Sequence, residues 1–325
     1  MTVLEELVSH KASKDEVTVK TYCPQDKALW DRFVYGAKNG VFLFYRDYME
    51  YHQDRFQDHS LLFFKNNNLI GILPANLAGD TVQSHGGLTF GGVVSGYSMK
   101  TPLMLEIFGA LIEHCRSIGV KTVLYKPIPY IYHSVPADED LYALYRHNAK
   151  LVARGVSSTI PLASQRRFAD NRRECIVKAK KNNLTVNESH DYDTYMKLLE
   201  QTLSKHGVKP VHSIEEIKLL ASRFPDNIKL YTAFKDERML AGLVIYESPN
   251  VAHLQYAANS PEGQKIGAQD LIADYLICER YKDKRYYDFG ISTEKQGRVL
   301  NRGLIKYKED FGASAVVYDM YQIIL

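Results

Sequence analysis

At 325 residues the chain is longer than one hydrophobic core ordinarily covers, which predicts two domains. With 45% hydrophobic and 24% charged residues and no Pro/Gly/Ser-rich linker, it reads as a globular protein whose lobes pack directly and leave a ligand cleft between them. A net charge of +3 makes no case for DNA, the N-terminal stretch lacks a signal-peptide core, and nothing reaches the ~18 uninterrupted apolar residues of a membrane span. A cytoplasmic protein is expected, with any membrane contact peripheral.

Alternation over 17–22 predicts a strand, and Asp26 is placed to cap a helix over 27–38 that Asn39-Gly40 ends. A short helix over 45–56 follows. Strands over 60–65 and 69–77 are joined by the Asn66-Asn67-Asn68 turn, whose asparagines tolerate positive φ. A glycine-rich strand region spans 81–94, without the Gly-Lys-Ser/Thr of a P-loop. Helix 103–118, strand 121–126, helix 138–154 and strand 157–162 close the first half.

The second half repeats this grammar after a basic helix over 166–181. Strand 184–187 precedes helices over 192–206 and 213–224, the latter opened by a Ser213/Glu216 capping box. A meander over 230–234, 240–246 and 251–258 leads to helix 268–281, strand 286–291, helix 299–311 and strand 315–321. The shared order of elements reads as a structural repeat.

Cys23, Cys115, Cys175 and Cys278 are far apart and read as buried free thiols, with no disulfide or zinc spacing. No metal site is expected. Between Gln165 and Asn182 seven basic residues face two acidic ones, a stretch suited either to phosphates or to a solvated helix face.

The passage from strand 251–258 through a Gly-containing turn into helix 268–281 aims backbone N–H groups and a positive helix end at one spot, which suits a pyrophosphate; an ordinary loop with a glycine for clearance fits as well. Asp288 lies on a strand and reads as a buried carboxylate satisfied by backbone, while Glu294, just past the strand end, is the better candidate for a general base. On the last helix Tyr307 is either a general acid or part of an apolar stripe. Lys308 is either a cation facing the cleft, placed to stabilise an oxyanion, or a surface lysine. A loop with His206, Lys209 and His212, and a strand-end set with His85, Lys126, Tyr130 and His133, are candidates to line an acceptor pocket or to cover the seam between lobes.

Tyr287 to Ser292, Gly303-Leu304 followed by Tyr307-Lys308 and Phe311-Gly312, the turn from Gln264 to Gln269, and the repeated order of elements over about 17–325 together resemble the FemABX and GNAT-like acyltransferases. The resemblance implies an α/β fold of two tandem GNAT-like lobes, each a mixed, mainly antiparallel sheet flanked by helices: an extension over 1–16, a first lobe over 17–164 and a second over 165–325. It implies N-acyl transfer from acyl-CoA, a co-substrate that is not tightly bound, to an amine of a sugar, an amino acid or a cell-envelope precursor, lipid-linked acceptors included. The implied alternatives are aminoacyl transfer from tRNA to a peptidoglycan precursor and a ligand-binding protein without catalysis.

Residue by residue, Gln264 to Gln269 is similar to the GNAT pyrophosphate turn, departing from it at Gln269, where a small residue is usual. The implied donor site is Gln264, Lys265, Gly267 and Ala268 for the pyrophosphate, and Gln255, Tyr256, Ala257 and Ala258 for the pantetheine arm. Tyr307-Lys308 is similar to the family's aromatic-Lys pair.

Overall fold

The computed structural model describes residues 16–164, 167–205 and 207–325. The described strands build one eleven-stranded sheet and one of four, with a two-stranded hairpin besides. The large sheet runs in the order Thr185–Ser189, Ile228–Lys235, Arg238–Glu247, Val251–Asn259, Tyr286–Ile291, Lys150–Pro161, Ser314–Ile324, Thr122–Tyr125, Thr81–Gln83, Asn76–Ala78 and Gln57–Asp58. Its pairs are antiparallel except Val251–Asn259 with Tyr286–Ile291 and Thr81–Gln83 with Thr122–Tyr125. Those two parallel pairs are the βαβ crossovers of the two halves, made by helices Ala268–Tyr275 and Thr101–Ser117.

The centre of this sheet belongs to neither half alone. Lys150–Pro161, the last strand of the first half, pairs with Tyr286–Ile291 of the second. Ser314–Ile324, the last strand of the second half, pairs with Thr122–Tyr125 of the first, and the two closing strands pair with each other. The sheet is therefore continuous across the expected boundary at 164/165. Packing follows the same plan, because one core cluster joins Trp30, Phe42 and Phe90 to Tyr195, Phe224 and Tyr246. Phe42 sits with its ring 5.6 Å from Phe224 and 5.4 Å from Tyr246.

The asparagine hairpin forms as its φ tolerance dictates, with Asn66 and Asn67 at φ 52 and 61, and the Ser213/Glu216 capping box closes both of its hydrogen bonds. Several expected elements are cut differently. The strand over 69–77 breaks at Pro74, which has no N–H for a ladder: Asn68–Leu73 stays in the four-stranded sheet and Asn76–Ala78 joins the large one. The short helix over 45–56 splits into Arg46–Met49 and a 3₁₀ turn, Glu50–His52.

The helix over 138–154 ends at Arg146, where Asn148 turns left-handed at φ 54 and the Ala149 N–H bonds the Leu144 carbonyl. The residues beyond it form the twelve-residue strand Lys150–Pro161, whose two-sided ladder outweighs helical spacing. Val299–Leu300 pairs with Thr293–Glu294, so the last helix starts later, at Arg302, with the Asn301 side chain accepting from the Leu304 N–H. No helix among the described residues is long and apolar enough to cross a membrane.

Candidate active site

Two parallel strands part company in the middle of the second half. Val251–Asn259 and Tyr286–Ile291 are in register only at Val251/Tyr286, Ala252/Tyr287 and His253/Asp288. Beyond that point Val251–Asn259 follows its antiparallel neighbour with a bulge that leaves Gln255 unpaired. Tyr286–Ile291 bends away at Gly290, whose φ of +76 shifts its register against Lys150–Pro161. The result is a V whose apex is the last paired residues, His253 and Asp288.

Asp288 is fully buried, and its two oxygens take four side-chain donors. Oδ1 accepts from Ser157 Oγ at 2.5 Å and Thr159 Oγ1 at 2.7 Å, and Oδ2 accepts from Tyr318 OH at 2.9 Å and lies 2.8 Å from His253 Nδ1. Burial pushes this carboxyl up, but the bonds from His253, Ser157 and Thr159 outweigh it and hold it below the usual carboxylate range. An ionised Asp288 fixes the proton on Nδ1 and leaves Nε2 of His253 as the basic nitrogen. The His253 side chain is 13% exposed. The chain of hydroxyls continues from Tyr318 to Tyr132 of the first half at 3.3 Å.

Lys308 reaches the same apex from the last helix. Its Nζ donates to the Gly290 and Ile291 carbonyls at 2.8 and 2.9 Å, and burial, opposed by the field of Asp288, lowers its pKa to about 8. Two of its three N–H donors are thus used.

Ile291, past the apex, and Tyr318, which bonds Asp288, line a cleft of about 220 Å³ between the halves, with Thr89, Phe90 and Lys126 on its first-half side and Glu294 on its second-half side. Glu294 stands exposed at the rim, with Asn301 Nδ2 3.4 Å away. Lys126 donates to the His85 and Leu88 carbonyls at 2.8 and 2.5 Å, and burial brings it to about 8. Gln255 lines a second hollow, which also contains His212 and shares Thr89 with the first. His85 is buried beside it, against Phe56.

Other sequence candidates stand apart. Tyr307 is not brought to the cleft: its ring lies under Arg172 at 4.9 Å and edge-on to Phe311, and burial drives its hydroxyl far up. Tyr130 is exposed near Tyr286, and His133 is buried in the seam, where its carbonyl accepts from Asn250 Nδ2. Lys209 is exposed, and His206 lies outside the described residues. Tyr256 is tied to His212, 2.6 Å from its Nδ1, while Ala257 and Ala258 are paired with Leu243 and Gly242 inside the sheet.

The turn before Ala268 departs furthest from expectation. Gln264 and Lys265 lie exposed on a short helix, Pro261–Ile266, whose Ser260 cap already occupies the Gly263 N–H. Gly267 is left-handed at φ +81, and a Cβ there would stand 2.3 Å from the Cys175 carbonyl oxygen. Its clearance therefore serves helix Asp170–Lys181, and Gly267 and Ala268 are buried. This helix and the segment before it lie between the helices Ala268–Tyr275 and Arg302–Glu309. Arg172 Nη1 is 2.5 Å from Asp270, the Ala169 N–H bonds the Asp310 carbonyl at 2.8 Å, and Phe168 packs on Phe311.

Residues 163–309 match the family model described as an acetyltransferase (GNAT) domain. The fold of the whole chain is that of FemX, with TM-score 0.67 and 12% identity over 94% of this chain and 97% of that one. This is a tandem GNAT fold of the FemABX kind. The C-terminal domain of an Agrobacterium fabrum protein described as a lysylphosphatidylglycerol synthetase matches with TM-score 0.61 and 10% identity over 92% of this chain and 91% of that one. L-PGS from Bacillus licheniformis matches with TM-score 0.54 and 12% identity over 78% and 80%. No curated protein matches the chain. The GNAT-domain match supports a transferase, and the V of Val251–Asn259 and Tyr286–Ile291 falls within the matched residues.

His253, Ser157, Thr159 and Tyr318 were not singled out in the sequence. The signal for the first was available: a histidine and an aspartate, each within a strand, on the two strands of one βαβ crossover are placed to become neighbours. Asp288 is satisfied by side chains, where backbone was expected.

Proposed function

We propose that the protein transfers an acyl or aminoacyl group from an activated donor to an amine, with His253 as general base. The observation that carries this reading is the His253–Asp288 pair at the apex of a strand splay, tied through Tyr318 to the wall of an inter-lobe cleft. The amine nitrogen attacks the donor carbonyl and a C–N bond forms. Nε2 of His253 takes the amine proton, Asp288 stabilises the imidazolium, and the proton passes to the leaving group as the intermediate collapses. The remaining N–H of Lys308 is suited to the developing oxyanion. Glu294, exposed at the rim, is suited to attracting the ammonium form of the acceptor rather than to the chemical step.

Of the two donors that the family resemblance implies, aminoacyl-tRNA is favoured over acyl-CoA. Helix Asp170–Lys181 occupies the groove beside Gly267, so the notch proposed for the pyrophosphate is closed by the chain itself. The outer face of that helix exposes Arg173, Lys178 and Lys181 around a shallow hollow of about 700 Å³ that also holds Asp170, paired with Arg173, and Glu174, so that Lys178 and Lys181 are the cations suited to an RNA backbone. The acceptor is an amine on a sugar, an amino acid or a lipid-linked envelope precursor.

The test supplies purified protein with radiolabelled aminoacyl-tRNAs, and separately with acyl-CoAs, against a panel of such amines. Label is expected in an amine product from tRNA, with steep salt dependence that weakens when Lys178 and Lys181 are reversed to Glu, and no product from His253→Gln. Transfer from CoA alone would reject the donor reading. Absence of transfer from either donor would leave a binding protein.

A further inference from the structure

Two residues beyond His253, about 7 Å along the strand, Gln255 forms part of the wall of a hollow of about 340 Å³ that the transfer step leaves without an occupant. Tyr51, His52, Phe56 and His212 form much of the remaining wall. The His52 ring stacks on Tyr51 with centroids 4.1 Å apart and meets Phe56 edge-on at 4.9 Å. Although His52 is only 2% exposed, its Nε2 has no hydrogen-bond partner. The Gly87 backbone packs against this nitrogen without supplying a partner, since a Cβ at Gly87 would lie 2.2 Å from it. A buried polar atom left in this way costs about 1–3 kcal/mol until something satisfies it.

The electrostatics select the class of ligand. Arg55, at the same wall, is neutralised by Glu216. Burial lowers both His52 and His212 to about 4, with Arg55 adding to the effect, so both rings are neutral at physiological pH. A phosphate or an ammonium group finds no free opposite charge. A ligand hydroxyl, both donor and acceptor, serves a neutral imidazole in either tautomer and the Gln255 amide as well. Aromatic walls favour the flat apolar face of a ring. A volume of about 340 Å³ lies at the small end of the roughly 300–1,000 Å³ of ligand pockets, which suits one six-membered ring with its substituents.

We infer that this hollow is the acceptor subsite and takes the pyranose ring of a monosaccharide unit, stacked on Tyr51 and Phe56 and hydrogen-bonded to His52, His212 and Gln255. The word acceptor rests on the transfer reading; the ring specificity rests on the hollow alone.

The experiment is an NMR titration of the imidazole resonances of the full chain with N-acetylglucosamine and methyl glucoside, and separately with phenylalaninamide and inorganic phosphate. At least one sugar is expected to shift the His52 and His212 signals saturably. Its affinity should fall tenfold or more in His52→Ala and in Val211→Trp, which fills the rim from a position 68% exposed, where folding is not at stake. If phenylalaninamide or phosphate moves these signals and neither sugar does, or if nothing moves them, the assignment is overturned. Transfer by the wild type, read beside binding, separates the two ideas: with saturable sugar shifts and no transfer from either donor, only the transfer reading falls. With transfer intact and no sugar shift, only the subsite falls.

Discussion

Nδ1 of His253 and Oδ2 of Asp288 lie 2.8 Å apart on the last rung where two parallel strands remain paired. Further along the strands one chain bulges and the other turns away, so the pair stands where strand geometry fixes an imidazole and then gives way. Asp288→Asn keeps the shape but removes the charge that sets the tautomer. Transfer is expected to fall by about 10²–10⁴-fold, with donor binding within about twofold of wild type. An equal loss in both would mean that Asp288 only holds the fold.

Lys308 is charged below about pH 8 and neutral above it, because burial disfavours its ammonium form. If that charge steadies an oxyanion, kcat/KM should decline as pH rises through about 8. In Lys308→Met the activity should be lower by about 10²-fold and this alkaline limb should vanish. A limb that persists in the variant assigns it to another group.

Gly267→Ala tests the closed turn. The substitution forces a Cβ onto the Cys175 carbonyl at a left-handed φ of +81. A loss of about 1–3 kcal/mol is expected from backbone strain alone, read by urea unfolding. Amide exchange should accelerate in helix Asp170–Lys181 before it does elsewhere. Unchanged exchange there would show that the helix is held by Arg172 and Phe168 without the glycine notch.

Asp140 provides a pH dependence of stability. It is buried, accepts from Tyr125 OH at 2.7 Å, and burial raises its pKa to about 7 from 3.8. The folded state therefore binds this proton more tightly than the unfolded chain does. Its contribution is complete below about pH 4 and is lost as pH rises toward about 7, a change of about 4 kcal/mol. Asp140→Asn should flatten that decline in chemical denaturation at pH 4, 5.5 and 7. An undiminished slope in the variant would place the titrating group elsewhere.

The repeated order of elements was legible because each half carries the same succession of apolar periods and turn residues, down to the asparagine hairpin and the Ser213 cap. What could not be read were features decided by distant partners. The stretch 150–154 looks helical from its own spacing and instead extends the strand expected over 157–162, because two other strands flank it. Gly267 has the spacing of a phosphate turn, yet the group that approaches it is Cys175, some ninety residues earlier. Lys308 was visible as a candidate because it belongs to a recognisable pair on its helix. His253 was overlooked because its significance depends on register with Asp288, and register is set by pairing rather than composition.

The exchange of closing strands bears on how the chain reaches this state. During synthesis the first lobe emerges complete in sequence but lacks its Thr122–Tyr125 neighbour, which is made about 190 residues later. Until residues 314–324 leave the ribosome, Thr122–Tyr125 presents an open edge, and Lys150–Pro161 waits for Tyr286–Ile291. Removing the strand Ser314–Ile324 would therefore unlatch the half that was made first. A fragment ending near residue 164 should behave as a sticky, incompletely closed sheet and not as an independent domain.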